Sequence, residues 1–188
     1  MLDYVVDLAH SAVSAIAAGV APAFGPAATA VAIVLFTAAM RLVISPLSWA
    51  QIRAARVSPL AGCLPALVQA PFFFVMYRLF TTPNDLLDAE LAGVPLGHRL
   101  TDGLSPTAAV VYALLFAVLA MLARLSSKRM RAASAGASEE AAAVGRVMAL
   151  LPYGTVVFAA FVPLAAGLYL ATTTAWTALE QGVLRRHR

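Results

Sequence analysis

The sequence predicts an all-α polytopic membrane protein, with an N-terminal interfacial helix followed by five transmembrane helices. Three observations carry this. Of the 188 residues, 62% are hydrophobic and 12% charged, and the mean hydropathy is +0.85, whereas soluble domains hold roughly 45–50% apolar and about 25% charged residues. Apolar segments of about 20 residues, the length that crosses a bilayer, recur along the chain. The basic residues fall in particular loops, so the net charge of +4 speaks of membrane orientation rather than of nucleic acid.

The first element is read over residues 1–20. Asp3, Asp7, His10, Ser11 and Ser14 recur at i, i+4, i+7, i+8 and i+11, which is one polar stripe on a helix. Leu2, Val5, Val6, Ala9, Val13 and Ile16 lie mostly on the other side. That division suits an extracellular amphipathic helix lying in the membrane interface. A signal peptide would want a basic start, and the first charges here are acidic. Gly19 to Gly25, with Pro22 and Pro26, is expected to break the helix before the first span.

A five-helix core follows over 27–183, with spans at about 27–48, 59–80, 106–126, 147–162 and 164–183. The last two share one apolar run from Val147 to Leu179, which as a single helix would measure about 50 Å against a hydrocarbon core of about 30 Å. Pro163 and Gly167 mark the expected break. Residues 81–105, with Pro83, Gly93, Pro95, Gly97 and Gly103, read as an ordered extracellular connection with little regular structure. Ser105-Pro106 supplies a cap and first-turn proline for the third span. Residues 127–145 are small, polar and basic, a flexible or partly helical cytoplasmic loop near anionic headgroups. Residues 184–188 form a short basic cytoplasmic tail. No internal repeat is present.

Orientation follows from lysine and arginine. Arg53, Arg56, Arg124, Lys128, Arg129, Arg131, Arg146, Arg185, Arg186 and Arg188 would share one side, with Arg78 and Arg99 on the other. The positive-inside rule then gives an N-terminus outside and a C-terminus inside, as an odd number of spans requires. Arg41 alone remains deep inside a span, away from its ends.

Catalytic chemistry has little to draw on. His10 and His98 lie in extracellular segments and His187 in the tail, and no carboxylate lies inside the first four spans. No Ser/His pair, Asp pair or zinc set stands at membrane depth, and no acidic or histidine relay favours proton coupling. No catalytic residue, metal or cofactor is expected. The one cysteine, Cys63, excludes an internal disulfide. Its context Leu60-Ala61-Gly62-Cys63 lies too deep in the chain for a lipoprotein signal, and it reads as a small buried thiol.

Polar residues on apolar helices remain. Thr37, Arg41, Ser45 and Ser48, at i, i+4, i+8 and i+11, share one face of the first span. An arginine at membrane depth costs about 3 kcal/mol on insertion scales, so it faces water or a partner, or snorkels to the headgroups. The stripe continuing outward to Thr37 speaks against snorkelling, which needs no deeper companions. The fifth span carries Tyr169, Thr172, Thr173 and Thr174; such hydroxyls commonly satisfy backbone or neighbouring helices. In the second span Gln69 sits beside Pro71, and a membrane proline frees a carbonyl and kinks the axis.

Three stretches resemble the YidC/Oxa1/Alb3 membrane protein insertases. Arg41 to Gln51 (RLVISPLSWAQ) resembles the family's first core helix. Val57 to Tyr77 (VSPLAGCLPALVQAPFFFVMY) is similar to the start of its second. Pro152 to Gln181, with Phe161-x-Pro163, Leu168-Tyr169 and Gln181, is similar to its last two. The resemblance implies five helices around a hydrophilic groove that opens to the cytoplasm and the lipid. Arg41 matches the groove arginine and Thr37 a polar residue one turn away, while Pro71 and Tyr169 match positions lining the substrate path. Ser45, Gln69 and Thr172 are read into the same groove.

The function so implied is that of an insertase or chaperone for small membrane proteins, working without nucleotide hydrolysis in a bacterial-type inner membrane. The implied partners are nascent or small membrane-protein substrates, the lipid bilayer, and the Sec translocon or ribosome, with no nucleic acid bound by the chain itself. The family usually carries a cytoplasmic helical hairpin of several dozen residues between its first two core helices. Here about ten residues, Gln51 to Leu60, join them. With its short tail and no N-terminal signal or lipoprotein segment, the chain reads as a reduced, divergent member. A non-catalytic membrane subunit or assembly factor that keeps the fold without autonomous insertion is therefore the alternative.

Overall fold

The computed structural model describes residues 2–54, 64–133 and 145–186, except for the side chains of 2, 46–72, 133, 181 and 183–186. Residues 59–63, the expected start of the second span with Cys63, and 134–144 of the expected basic loop lie outside the described residues. Two compact units divide the chain, Met1–Gly97 and His98–Arg188. Among the described residues the regular secondary structure is helical apart from one short hairpin. Two helical stretches, Asp3–Ser45 and Pro106–Ala132, are long and apolar enough to cross a membrane. The molecule is an all-α membrane protein.

The first unit holds α1 (Leu2–Phe24), α2 (Ala28–Ala54) and α3 (Leu64–Thr81). The expected break at Gly19–Gly25 falls later, because α1 runs on through Pro22 to Phe24. Glycine weakens a helix and proline removes one backbone bond, but neither forces a turn. The turn comes at Gly25, whose φ of +51° is the left-handed region that glycine enters freely. A single 3₁₀ turn, Gly25–Ala27, then leads into α2.

α1 packs on α2 and, through its other end, on α3. Ala9 and Val13 are buried on α1, and on α2 the buried residues are Ala28, Ala30, Ala32, Ile33 and Thr37. These residues lie between positions 28 and 37, in the first half of α2. Beyond it Leu42 and Val43 are exposed, as suits apolar side chains facing lipid. Val75, Met76, Leu79 and Phe80 form the buried face at the end of α3.

The connection from α3 is ordered, as its sequence predicts, and it has its own small core of Leu86, Leu87, Val94 and Leu96. Asn84 organises its start. Its Oδ1 accepts from the Leu86 N–H at 3.1 Å while its Nδ2 donates to the Leu79 carbonyl at 2.6 Å. Residues Glu90–Leu91 and Val94–Pro95 pair as a minimal antiparallel hairpin. Both of its turn residues, Ala92 and Gly93, have positive φ, as a two-residue turn of this hand requires.

The second unit holds α4 (Pro106–Ala133), α5 (Leu151–Ala159) and α6 (Leu164–Arg186), with α4 packed on both others. The cap expected at Ser105 is present, its Oγ accepting from the Ala108 N–H at 3.1 Å. α4 continues seven residues past the expected end of the third span, so the start of the basic loop is helical. α6 likewise runs through Arg186, into the expected tail.

The expected span at 147–162 is interrupted. Leu150 N–H bonds to Val147 and Tyr153 N–H to Leu150, both i to i−3 at 3.0 Å, before α5 ends at Ala159. Pro152 is the cause, since it has no N–H to continue the i to i−4 ladder. The break between α5 and α6 comes at Pro163 as expected, but Gly167 plays no part in it. Gly167 lies inside α6, and a Cβ placed on it would sit 2.7 Å from Leu115 Cδ2. It is a point of close approach between α4 and α6.

Candidate functional site

The polar face expected on the first span belongs to α2. Thr37 is fully buried, and its Oγ1 donates to the Ile33 carbonyl at 2.7 Å. One and two turns on, Arg41 and Ser45 are half-buried, while Val34, Leu35, Leu42 and Val43 around them are exposed. The stripe thus lies on the more protected side of this part of α2. A back-bonded hydroxyl such as that of Thr37 uses its proton on its own helix and keeps a lone pair to offer.

Tyr169 and Thr172 lie on α6, in the second unit. Tyr169 is buried. Thr172 and Thr174 donate to the Leu168 and Leu170 carbonyls at 2.8 and 2.7 Å. The hydroxyls at 172 and 174 therefore satisfy their own helix, the commoner use of such clusters. Thr173 differs, because its buried Oγ1 has no hydrogen-bond partner among the described residues. Gln69 and Pro71 fall within α3, and their side chains, like that of Ser48, lie outside the described residues.

A second polar group was hidden in the α1 stripe. Asp3 Oδ1 accepts from Arg78 Nη2 at 3.4 Å, and His10 Nε2 lies 2.6 Å from Asp85 Oδ1. Both pairs join residues 75 positions apart. The hydrogen bond with His10 holds the Asp85 carboxyl below its ordinary value of 3.8, more than the small loss of hydration raises it. Asp3, Asp7, His10, Arg78 and Asn84 line a cleft there. The spacing of Asp3, Asp7 and His10 was the signal in the sequence, but it named no partners.

At the other end of the second unit, Arg129 Nη1 donates to the Ala178 carbonyl at 2.6 Å, tying α4 to α6. Trp176 Nε1 donates to Glu180 at 3.0 Å on α6 itself. The turn after α5 is fixed from the start of this unit, where the His98 carbonyl accepts from Leu164 N–H at 3.0 Å and from Tyr112 Oη at 2.6 Å. The Leu164 N–H, an orphan at a helix start, is thereby satisfied.

A protein-family model described as 60Kd inner membrane protein matches residues 53–188. The chain belongs to this family, the YidC/Oxa1/Alb3 insertases. No curated protein and no solved structure gives a match. Membership carries a general role in membrane protein insertion and a place in a membrane. The matched stretch of this insertase-family chain contains Gln69, Pro71, Tyr169 and Thr172, while Thr37, Arg41 and Ser45 precede it.

Proposed function

We propose that this insertase-family chain helps small membrane proteins enter the lipid bilayer through a hydrophilic groove centred on Arg41, without nucleotide hydrolysis. The observation that carries the reading is the polar face Thr37–Arg41–Ser45 on an apolar helix of a chain in this family. Arg41 attracts acidic or polar stretches of a substrate's translocated segment, because a fixed charge acts more strongly where water is partly excluded. Ser45, Gln69, Pro71, Tyr169 and Thr172 line the path beside it. Partition of the substrate's apolar helix into lipid supplies the driving force. The chain sits multi-pass in an inner membrane, N-terminus out and C-terminus in, where the Sec translocon or ribosome delivers substrates.

The test is insertion of a short single-span protein into liposomes containing only this chain, scored by protease protection. Loss of about 1 kcal/mol of charge attraction corresponds to roughly fivefold. The expected result is protection above empty liposomes, lowered about fivefold by Arg41→Ala for substrates with acidic translocated segments. Equal insertion by the variant would remove Arg41 from the role.

The short stretch between the ends of α2 and α3, where the family usually carries a helical hairpin, favours a second reading, a membrane subunit or assembly factor without autonomous insertion. No protection by folded protein, with a stoichiometric partner on purification, would select it.

A further inference from the structure

We infer that Asp3, Arg78, His10 and Asp85 form an ionic clasp that positions the Arg41 helix, making them positioning residues for the insertion reaction; the reaction itself rests on the function proposed above. Four observations carry this. α1 is joined to α2 by one 3₁₀ turn, so the end of α1 fixes the start of α2. α1 also packs on α2, on which Thr37 is fully buried one turn before Arg41.

The opposite part of α1 is held by charge. Asp3 meets Arg78 in the last turn of α3, and two helical turns along α1 His10 meets Asp85 in the connection that follows α3. His10 and Asp3 lie seven residues apart on one face of α1, and their partners lie seven apart in the chain. The two contacts therefore hold the same face of α1. α1 is thereby a strap tied covalently to α2 at one end and electrostatically to α3 at the other.

Gly25, at φ +51°, is the joint between strap and groove helix. With the clasp closed, α1 has one placement and holds α2 in register with α3. With it open, α1 is restrained by apolar packing alone and α2 gains freedom about its first turn. Among the described residues Asp7 also lines this cleft, between Asp3 and His10 along α1. Its negative charge favours Arg78 and adds to the attraction on that side.

Exposed ion pairs are individually weak, so each is expected to shift the balance of closed to open by up to about fivefold. The experiment uses the full chain in liposomes with Cys63→Ser, and compares Asp3→Arg, Arg78→Asp and the charge-swapped double variant. One readout is the labelling rate of Ser45→Cys by a water-soluble maleimide, which reports the placement of α2 without requiring insertion. The other is protease-protected insertion by the same variants with Ser45 intact.

Either single reversal is expected to change the labelling rate two- to fivefold and to lower insertion by a similar factor. The swap is expected to restore both. Unchanged labelling in the single variants overturns the clasp, whatever insertion does. A double variant as impaired as the singles overturns it as well, since lost packing would not be rescued by exchanged charges. Restored labelling without any insertion, wild type included, keeps the clasp and rejects the proposed function instead.

Discussion

Asp85 shows how one contact can set the chemistry of an exposed side chain. Its carboxyl lies below the ordinary value of 3.8 because His10 hydrogen-bonds the ionised form. A carboxyl whose value is lower in the folded than in the unfolded chain adds stability above the unfolded value and loses it as the pH falls through the folded one. Thermal unfolding of wild type and Asp85→Asn in detergent is the check. Wild type is expected to be the more stable at pH 6, with the difference shrinking toward pH 3. A constant difference over that range would mean that Asp85 acts through shape. Thr37 makes the complementary case, for its hydroxyl is spent on the Ile33 carbonyl and its identity as a polar residue is visible in the sequence without its use.

Among elements, α4 and α6 come into close approach at Gly167. A Cβ at Gly167 would approach Leu115 Cδ2 to 2.7 Å, and Leu115 is itself buried. Gly167→Ala is expected to change stability little, because the terminal methyl of Leu115 can turn away and alanine gains about 1 kcal/mol of helix propensity. Gly167→Leu has no such escape and is expected to cost about 1–3 kcal/mol through overpacking. Unfolding of the purified variants in detergent separates the two. The sequence suggested that Gly167 shares the break with Pro163, because glycine and proline in an apolar run both punctuate helices. Pro163 alone makes that break, since the missing N–H is a local property and close approach is not.

At the scale of the whole molecule, the placement of basic residues predicts how the chain sits in its membrane. With Cys63→Ser, single cysteines at Thr101→Cys and Glu139→Cys are expected to report opposite sides. A membrane-impermeant maleimide applied to intact cells should label position 101 and reach position 139 only after permeabilisation. The reverse pattern would invert the proposed orientation. The same experiment bears on the groove, because Arg41 faces substrate from the cytoplasmic side only in the proposed orientation.

The sequence by itself determined the membrane class, the helical content, the start of α4 at Ser105, the break at Pro163, the family and the polar face of α2. Each of these depends on composition, on a period of 3.6 residues or on a residue's own backbone chemistry, all of which are local. Tertiary structure decided the rest. It carried α1 to Gly25 and assigned Gly167 to packing. It also joined Asp3 to Arg78 and His10 to Asp85 across 75 residues. Periodicity says which side chains share a face, but their partners depend on where another helix arrives, and that is fixed only when the apolar faces pack.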